Sequence, residues 1–213
     1  MKTKNFEWTI IGVVVILFIV TVSYGVISKT LNSDSPTPAT GSFEPGDTGT
    51  TESSSLVLIE EYSDFQCPYC SRVIPTINQI KQEYGGDVEI VFKHYPLPFH
   101  SDAKIAAEAS ECARDQGKFW EYHDLLFANQ GKLKIPNLKD YASELGLDTK
   151  NFAKCLDAGE KTAIVEKDFN GGKSRGVTGT PTFFINGQKV VGAQPYETFK
   201  EVIDIMIEVT KGG

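Results

Sequence analysis

Cys67-Pro68-Tyr69-Cys70 stands between the apolar run Leu56-Val57-Leu58-Ile59 and a helix-patterned stretch from Arg72 to about Tyr84. Two thiols at the mouth of a strand-to-helix turn are suited to redox exchange. The helix brings unpaired backbone N–H groups and the positive end of its dipole to the first sulfur, which favours thiolate over thiol. Cys67 is therefore expected to be an exposed nucleophile. Two intervening residues place Cys70 one turn into the helix, within reach of a small disulfide ring. Pro68 fits the first helical turn, where its missing N–H is no loss.

A C-x-x-C pair is also half of a zinc site, and zinc requires two further ligands. Cys112 and Cys155 stand alone, and His94, His100 and His123 are scattered over segments that read as strand end, loop and helix. No metal is implied. An inert structural disulfide at Cys67-Cys70 is the third reading of the motif.

The first thirty residues bear on compartment. Lys2 and Lys4 precede an uncharged apolar run from about Thr9 to Ser28, long enough at ~1.5 Å per residue to cross a hydrocarbon core of ~30 Å. A cleavable signal peptide is the alternative, but Ser23-x-Gly25 is a weak cleavage site inside the apolar run. Residues 1–30 are thus expected to be a single-pass anchor with a cytoplasmic N-terminus, leaving the rest extracytoplasmic. Residues 31–55 are rich in Ser, Thr, Pro, Gly and acid, with Phe43 the one aromatic, and read as a flexible tether. Residues 56–213 are long enough for one good core. The chain carries −7, of which the tail through Lys29 contributes +2 from three lysines against Glu7, so the remainder carries −9. That charge argues against nucleic acid as a partner. Gly171-Gly172-Lys173-Ser174 lacks the leading glycine of a phosphate-binding loop and reads instead as a helix stop.

Within the domain the order is strand, helix, strand, long helical block, strand, strand, helix. Leu56 to Tyr62 and Val88 to His94 are the first strands, and a strand–helix–strand unit of that size implies parallel neighbours. From Ser101 to about Lys173 the apolar period is 3.6, with stripes at Ile105, Ala109 and Cys112 and at Phe152, Cys155 and Leu156. Thr182 to Ile185 and Lys189 to Val191 are short strands joined by Asn186-Gly187, a strong hairpin signal. Pro195 opens a last helix with Phe199, Val202, Ile203, Met206 and Ile207 on its apolar face.

The segment from Glu60 to Cys70, the later Gly179-Thr180-Pro181-Thr182-Phe183-Phe184-Ile185-Asn186-Gly187, and the helical block between them resemble the DsbA-like branch of the thioredoxin superfamily. The resemblance covers nearly all of Leu56 to Lys211. It implies an α/β thioredoxin-like fold with an all-helical insertion at about 101–175, here preceded by one transmembrane helix. It further implies an extracytoplasmic enzyme that introduces or exchanges disulfides in reduced or misoxidised proteins. Cys67 maps to the nucleophile, Cys70 to the resolving thiol and Pro181 to a cis-proline facing the pair. A trans proline that merely opens the strand is the alternative. Thr180, whose backbone would pair with an extended substrate, and Pro68 and Tyr69 beside the nucleophile are the expected substrate contacts. No cofactor is implied. Turnover by resemblance uses a membrane quinone-linked thiol oxidase of the DsbB or vitamin K epoxide reductase type. The dipeptide here is Pro-Tyr, whereas the strongest oxidants of the family carry Pro-His, so the reverse reaction, a tethered reductase or isomerase, is a second reading. A non-enzymatic binding domain is a third.

Two further expectations complete the reading. Cys112 and Cys155 lie on inward stripes of neighbouring helical segments and are expected to pair, two buried free cysteines being the alternative. Glu61 shares a strand face with Val57 and Ile59 and stands six residues before Cys67, where the resemblance implies a buried acid beneath the resolving cysteine; a carboxyl there would take the proton of Cys70. The opposite assignment, with Glu60 inward, is equally open.

Overall fold

Alternation in Val57-Leu58-Ile59-Glu60-Glu61-Tyr62-Ser63 forms β1 (Val57–Ser63), and its odd-numbered side chains turn to one face of the sheet. The structure, a computed structural model, describes residues 57–212. The expected membrane span and linker lie outside the described residues. Among the described residues no helix is long and apolar enough to cross a membrane.

After β1 the chain enters α1 (Pro68–Tyr84), with Cys67 as its N-cap residue and Pro68 opening the first turn. Pro75, in mid-helix, removes the donor that would reach the Ser71 carbonyl. A 3-10 turn at Gly85–Asp87 leads to β2 (Val88–His94). Five helices follow: α2 (Ala103–Arg114), α3 (Phe119–Ala128), α4 (Ile135–Glu144), α5 (Thr149–Asp157) and α6 (Thr162–Ser174). β3 (Thr182–Ile185), β4 (Gln188–Val191) and α7 (Tyr196–Lys211) complete the domain. The sheet order is β2-β1-β3-β4, with β1 parallel to β2 and antiparallel to β3, and β3 antiparallel to β4. Asn186 and Gly187, at φ of 44° and 88°, make the turn between β3 and β4.

Each sheet face has its own core. Val57 and Ile59 of β1 and Phe183 and Ile185 of β3 pack against Val73, Ile77 and Ile80 of α1 and Phe199 and Ile203 of α7. Tyr62, Tyr95, Val177 and Phe184 fill the opposite face. A third cluster unites the five-helix insertion with Phe65, Phe92, Cys67 and Cys70, so the thiols sit where the insertion meets the sheet.

The insertion is cross-linked. Cys112 of α2 and Cys155 of α5 form a disulfide with Cα atoms 6.0 Å apart, closing a loop of 43 residues. On the chain-entropy account such a link contributes about 2–5 kcal/mol. The Tyr122 hydroxyl donates to the Leu138 carbonyl at 2.8 Å, tying α3 to α4. Where β2 meets α2, buried His94 Nε2 lies 2.7 Å from the Glu111 carboxylate, which also accepts from Arg114 Nε at 2.9 Å. Burial alone would raise the Glu111 carboxyl; the hydrogen bonds from His94 and Arg114 override it and hold the pKa at about 2.

One expectation is corrected. Gly171 and Gly172 do not stop α6; the helix ends past them, at Arg175 and Gly176, whose φ is 73°. Gly172 is there for closeness, because a Cβ on it would lie 2.8 Å from the rings of both Tyr62 and Tyr95. Gly172→Ala should therefore destabilise the domain by about 1–3 kcal/mol through overpacking. Gly171→Ala, whose Cβ would meet only the Tyr62 hydroxyl at 3.8 Å, should be neutral or stabilising by roughly 0.5–1 kcal/mol as a glycine leaves a helix interior. Urea unfolding of the two variants beside the parent measures the contrast.

Candidate active site

The turn that carries Cys67 is held by one carboxylate. Asp64 is buried, and its oxygens accept from the Gln66 N–H at 2.7 Å, the Leu97 N–H at 2.7 Å and, at 2.8 Å, His100 Nδ1. Its backbone carbonyl accepts from the Cys67 N–H at 3.0 Å. The insertion adds a second clamp: Gln130 Nε2, just beyond α3, donates to the carbonyls of both Phe65 and Cys67 at 2.9 Å. Phe65 is locked between, its ring 5.1 Å from that of Phe92 and 4.9 Å from that of Phe127.

From the other side comes the loop before β3. The Thr180–Pro181 peptide is cis, Pro181 is buried, and the Pro181 carbonyl accepts from the Gly192 N–H at 2.8 Å. This brings the Thr180 carbonyl to 3.4 Å from Cys67 Sγ, which donates to it. Cys67 is consequently only 3% exposed, not the open nucleophile that a helix mouth alone suggests. The Thr180 carbonyl, expected to stand free for a substrate, is thus engaged by the Cys67 thiol in the dithiol form. Pro68 and Tyr69 are exposed beside it, and the Tyr69 ring lies 4.8 Å from the Arg72 guanidinium carbon.

The two thiols are unlike in charge. Cys67 is lowered from 9.0 to about 5. The largest cause is a hydrogen bond from the Cys70 thiol; burial opposes it, and Thr180 and the backbone N–H groups of Cys70 and Tyr69 assist. The helix-terminus donors that the sequence points to are therefore the smaller part of the effect. Cys70, fully covered, is pushed well above its usual value, by burial first and then by its hydrogen bond to Cys67 and the charge there. One proton is shared by two sulfurs, and Cys70 keeps it.

On β1, Glu61 is the inward acid, 3% exposed, while Glu60 faces the other way and meets Arg175 at 2.6 Å. Burial raises the Glu61 carboxyl, against the lowering influences of His123, Ser63 and Lys81. Asp64, Gln130 and Ser63 are residues that sequence reasoning missed. Asp64 carried a signal, since an Asp two residues before a turn N–H is the signature of an Asx-turn. Gln130 and Ser63 carried none.

A two-thiol helix mouth of this polarity beside a cis-proline, on this sheet and with this insertion, defines a thioredoxin-like architecture with a helical insertion and a dithiol placed for exchange. A family model described as thioredoxin matches residues 48–205, and the chain belongs to that family. Among solved structures, BdbD from Bacillus subtilis, in its oxidised form, is 25% identical with a TM-score of 0.65, covering 72% of this chain and 89% of that one. A thioredoxin-like oxidoreductase from Silicibacter pomeroyi is 27% identical with a TM-score of 0.64, covering 70% and 86%. DsbA2 from Pseudomonas aeruginosa is 27% identical with a TM-score of 0.59, covering 72% and 90%. Among curated relatives, proteins named Na(+)/H(+) antiporter NhaA from Salinispora arenicola and Herminiimonas arsenicoxydans are 38% and 37% identical over 69% and 72% of this chain. The chain spans only 22% and 24% of their length.

Alkylation of Cys67 should rise with pH through a midpoint of about 5 and then level off. Because the folded pKa is depressed, the thiolate contributes stability that is complete above the unfolded thiol value and lost as pH falls through about 5. The reduced protein should accordingly gain in melting temperature over the disulfide form, which has no such group, as pH rises from 5 toward 9. Parallel melts of the two forms across that range measure it. Gln130→Ala leaves two carbonyls of the turn without their donor, so chemical denaturation should show a loss of about 1–3 kcal/mol.

Proposed function

We propose that this protein is a membrane-tethered, extracytoplasmic thiol oxidase that introduces disulfides into exported polypeptides through Cys67 and Cys70. The observation that carries the proposal is the polarity of the pair, Cys67 at about 5 against Cys70 held well above its usual value. The Cys112–Cys155 bridge supports it, because such links persist where the surroundings are oxidising. So does the run from Thr9 to Ser28, which is long and apolar enough for an anchor.

In the oxidising direction, a substrate thiolate attacks Cys67 Sγ of the Cys67–Cys70 disulfide. The ring bond breaks and Cys70 leaves with the electron pair, taking up a proton that Glu61 supplies. A second substrate thiolate attacks the substrate sulfur of the mixed disulfide and releases Cys67, which departs readily because its thiolate is stabilised. Two substrate thiols lose two electrons, and the enzyme holds them as a thiolate and a thiol. Pro181 and Thr180 line the approach, and Pro68 and Tyr69 border it. A substrate strand laid along Thr180 takes over that residue's carbonyl once Cys67 has lost its proton. A quinone-linked membrane oxidase of the DsbB or vitamin K epoxide reductase type would take the two electrons away, and an anchor would keep the partners in one plane.

Equilibrating the Cys67–Cys70 couple against glutathione buffers tests the direction. The oxidase reading expects a couple well on the oxidising side of thioredoxin's ~−270 mV. A couple at or below that value would assign the chain to the reductive arm instead.

A further inference from the structure

Cys70 must take up or release a proton at every turnover, and it is completely covered. Glu61, 3% exposed, has no way to reach water by itself. The structure places two further groups on this route. Ser63 lies two residues after Glu61 on the same face of β1, is 1% exposed, and its hydroxyl has no hydrogen-bond partner among the described residues. A hydrogen bond from that hydroxyl would favour the ionised form of Glu61 and of Cys70 alike. A buried hydroxyl left uncommitted, and able to bond to both an acid and a thiol, can receive a proton from one and pass its own to the other.

On the far side, Phe92 is the register partner of Glu61 across β1 and β2, and the His123 ring of α3 packs edge-on to Phe92 at 5.1 Å and to Phe65 at 5.8 Å. His123 is the strongest charge influence on Glu61. Its Nδ1 lies 2.8 Å from Asp124 Oδ1, and Asp124 is 69% exposed at its side chain. Lys81 of α1 also faces Glu61, but its ammonium sits over the Trp120 ring at 3.8 Å. An ammonium is a weaker shuttle there than an imidazole, which accepts at one nitrogen while donating at the other. His94, the other imidazole of this aromatic cluster, is committed to Glu111.

We infer that Ser63, Glu61, His123 and Asp124 form a proton conduit between Cys70 and solvent, with Ser63 as the inner link and His123 as the outlet. The inference rests on Glu61 being the proton partner of Cys70, as the proposed mechanism has it. When the ring bond breaks, the Cys70 thiolate takes the Ser63 hydroxyl proton, Ser63 takes that of Glu61, and Glu61 is reprotonated through His123 from water at Asp124. When Cys70 attacks in the other direction, the same proton leaves by the same steps.

The test loads Cys67 with thionitrobenzoate and follows its release at neutral pH as Cys70 attacks. Ser63→Ala should slow release at least tenfold, with the gap closing as rising pH deprotonates Cys70 directly. Ser63→Thr should restore it. His123→Phe should slow release and be rescued by added imidazole, and Asp124→Asn, a surface change that leaves the fold alone, should slow it more modestly. In a Glu61→Gln background none of the three should add a further loss, as expected for steps in series. Undiminished release in Ser63→Ala, a loss equal at all pH, slowing by Lys81→Met but not by His123→Phe, or His123→Phe without imidazole rescue would overturn the conduit. If Glu61→Gln itself releases at the parent rate, the proposed role of Glu61 falls first; if Glu61→Gln is slow while Ser63→Ala and Asp124→Asn are fast, only the conduit falls.

Discussion

The hydrogen bond from the Cys70 thiol to Cys67 is the interaction on which the rest of the site depends. A sulfur that is 3% exposed cannot hold a negative charge unless donors replace water. Cys70 is the strongest of those donors, and it can remain one only if its own ionisation is suppressed. Full burial of Cys70 in the cluster with Phe65, Phe92 and the insertion helices does this. The same burial that gives Cys67 its charge therefore denies Cys70 direct access to water. Stabilising one thiolate creates a proton-transport problem for the other.

The insertion reaches into the centre of the domain. Gln130 fixes two carbonyls of the turn, Phe127 packs on Phe65, and His123 stands over the β1–β2 pair at Glu61. All three belong to α3 or the residues just beyond it. The disulfide, by contrast, braces α2 against α5. One helix of the insertion thus serves the thiols, and the link between two others keeps the bundle from spreading away from it.

Much of this was legible in the chain because its determinants are local. Strand periodicity, Asn186-Gly187 and the spacing of the two thiols each act over a few residues, and the five-helix block announces itself by its 3.6 period. What could not be read are the facts that arise between distant segments. Cys67 looked open because nothing near it in sequence shows that Thr180, 113 residues on, would arrive against its sulfur. Glu60 and Glu61 could not be told apart until Arg175 and Tyr62 claimed the opposite face. The glycine pair of α6 resembled a stop because the two tyrosines that crowd Gly172 come from β1 and from just after β2.

If the protein acts as proposed, the recessed Cys67 sulfur also limits when in a client's life exchange can occur. A thiol must approach along the line of the bond it breaks, and Cys67 is 3% accessible with the Thr180 carbonyl 3.4 Å from its sulfur. A cysteine fixed in a rigid surface is poorly able to reach a sulfur so recessed, whereas one on a loose, extended strand can adapt to it. On the proposed oxidase function access therefore ages out: a polypeptide still unfolded qualifies, and a finished one, whatever thiols it retains, is left undisturbed.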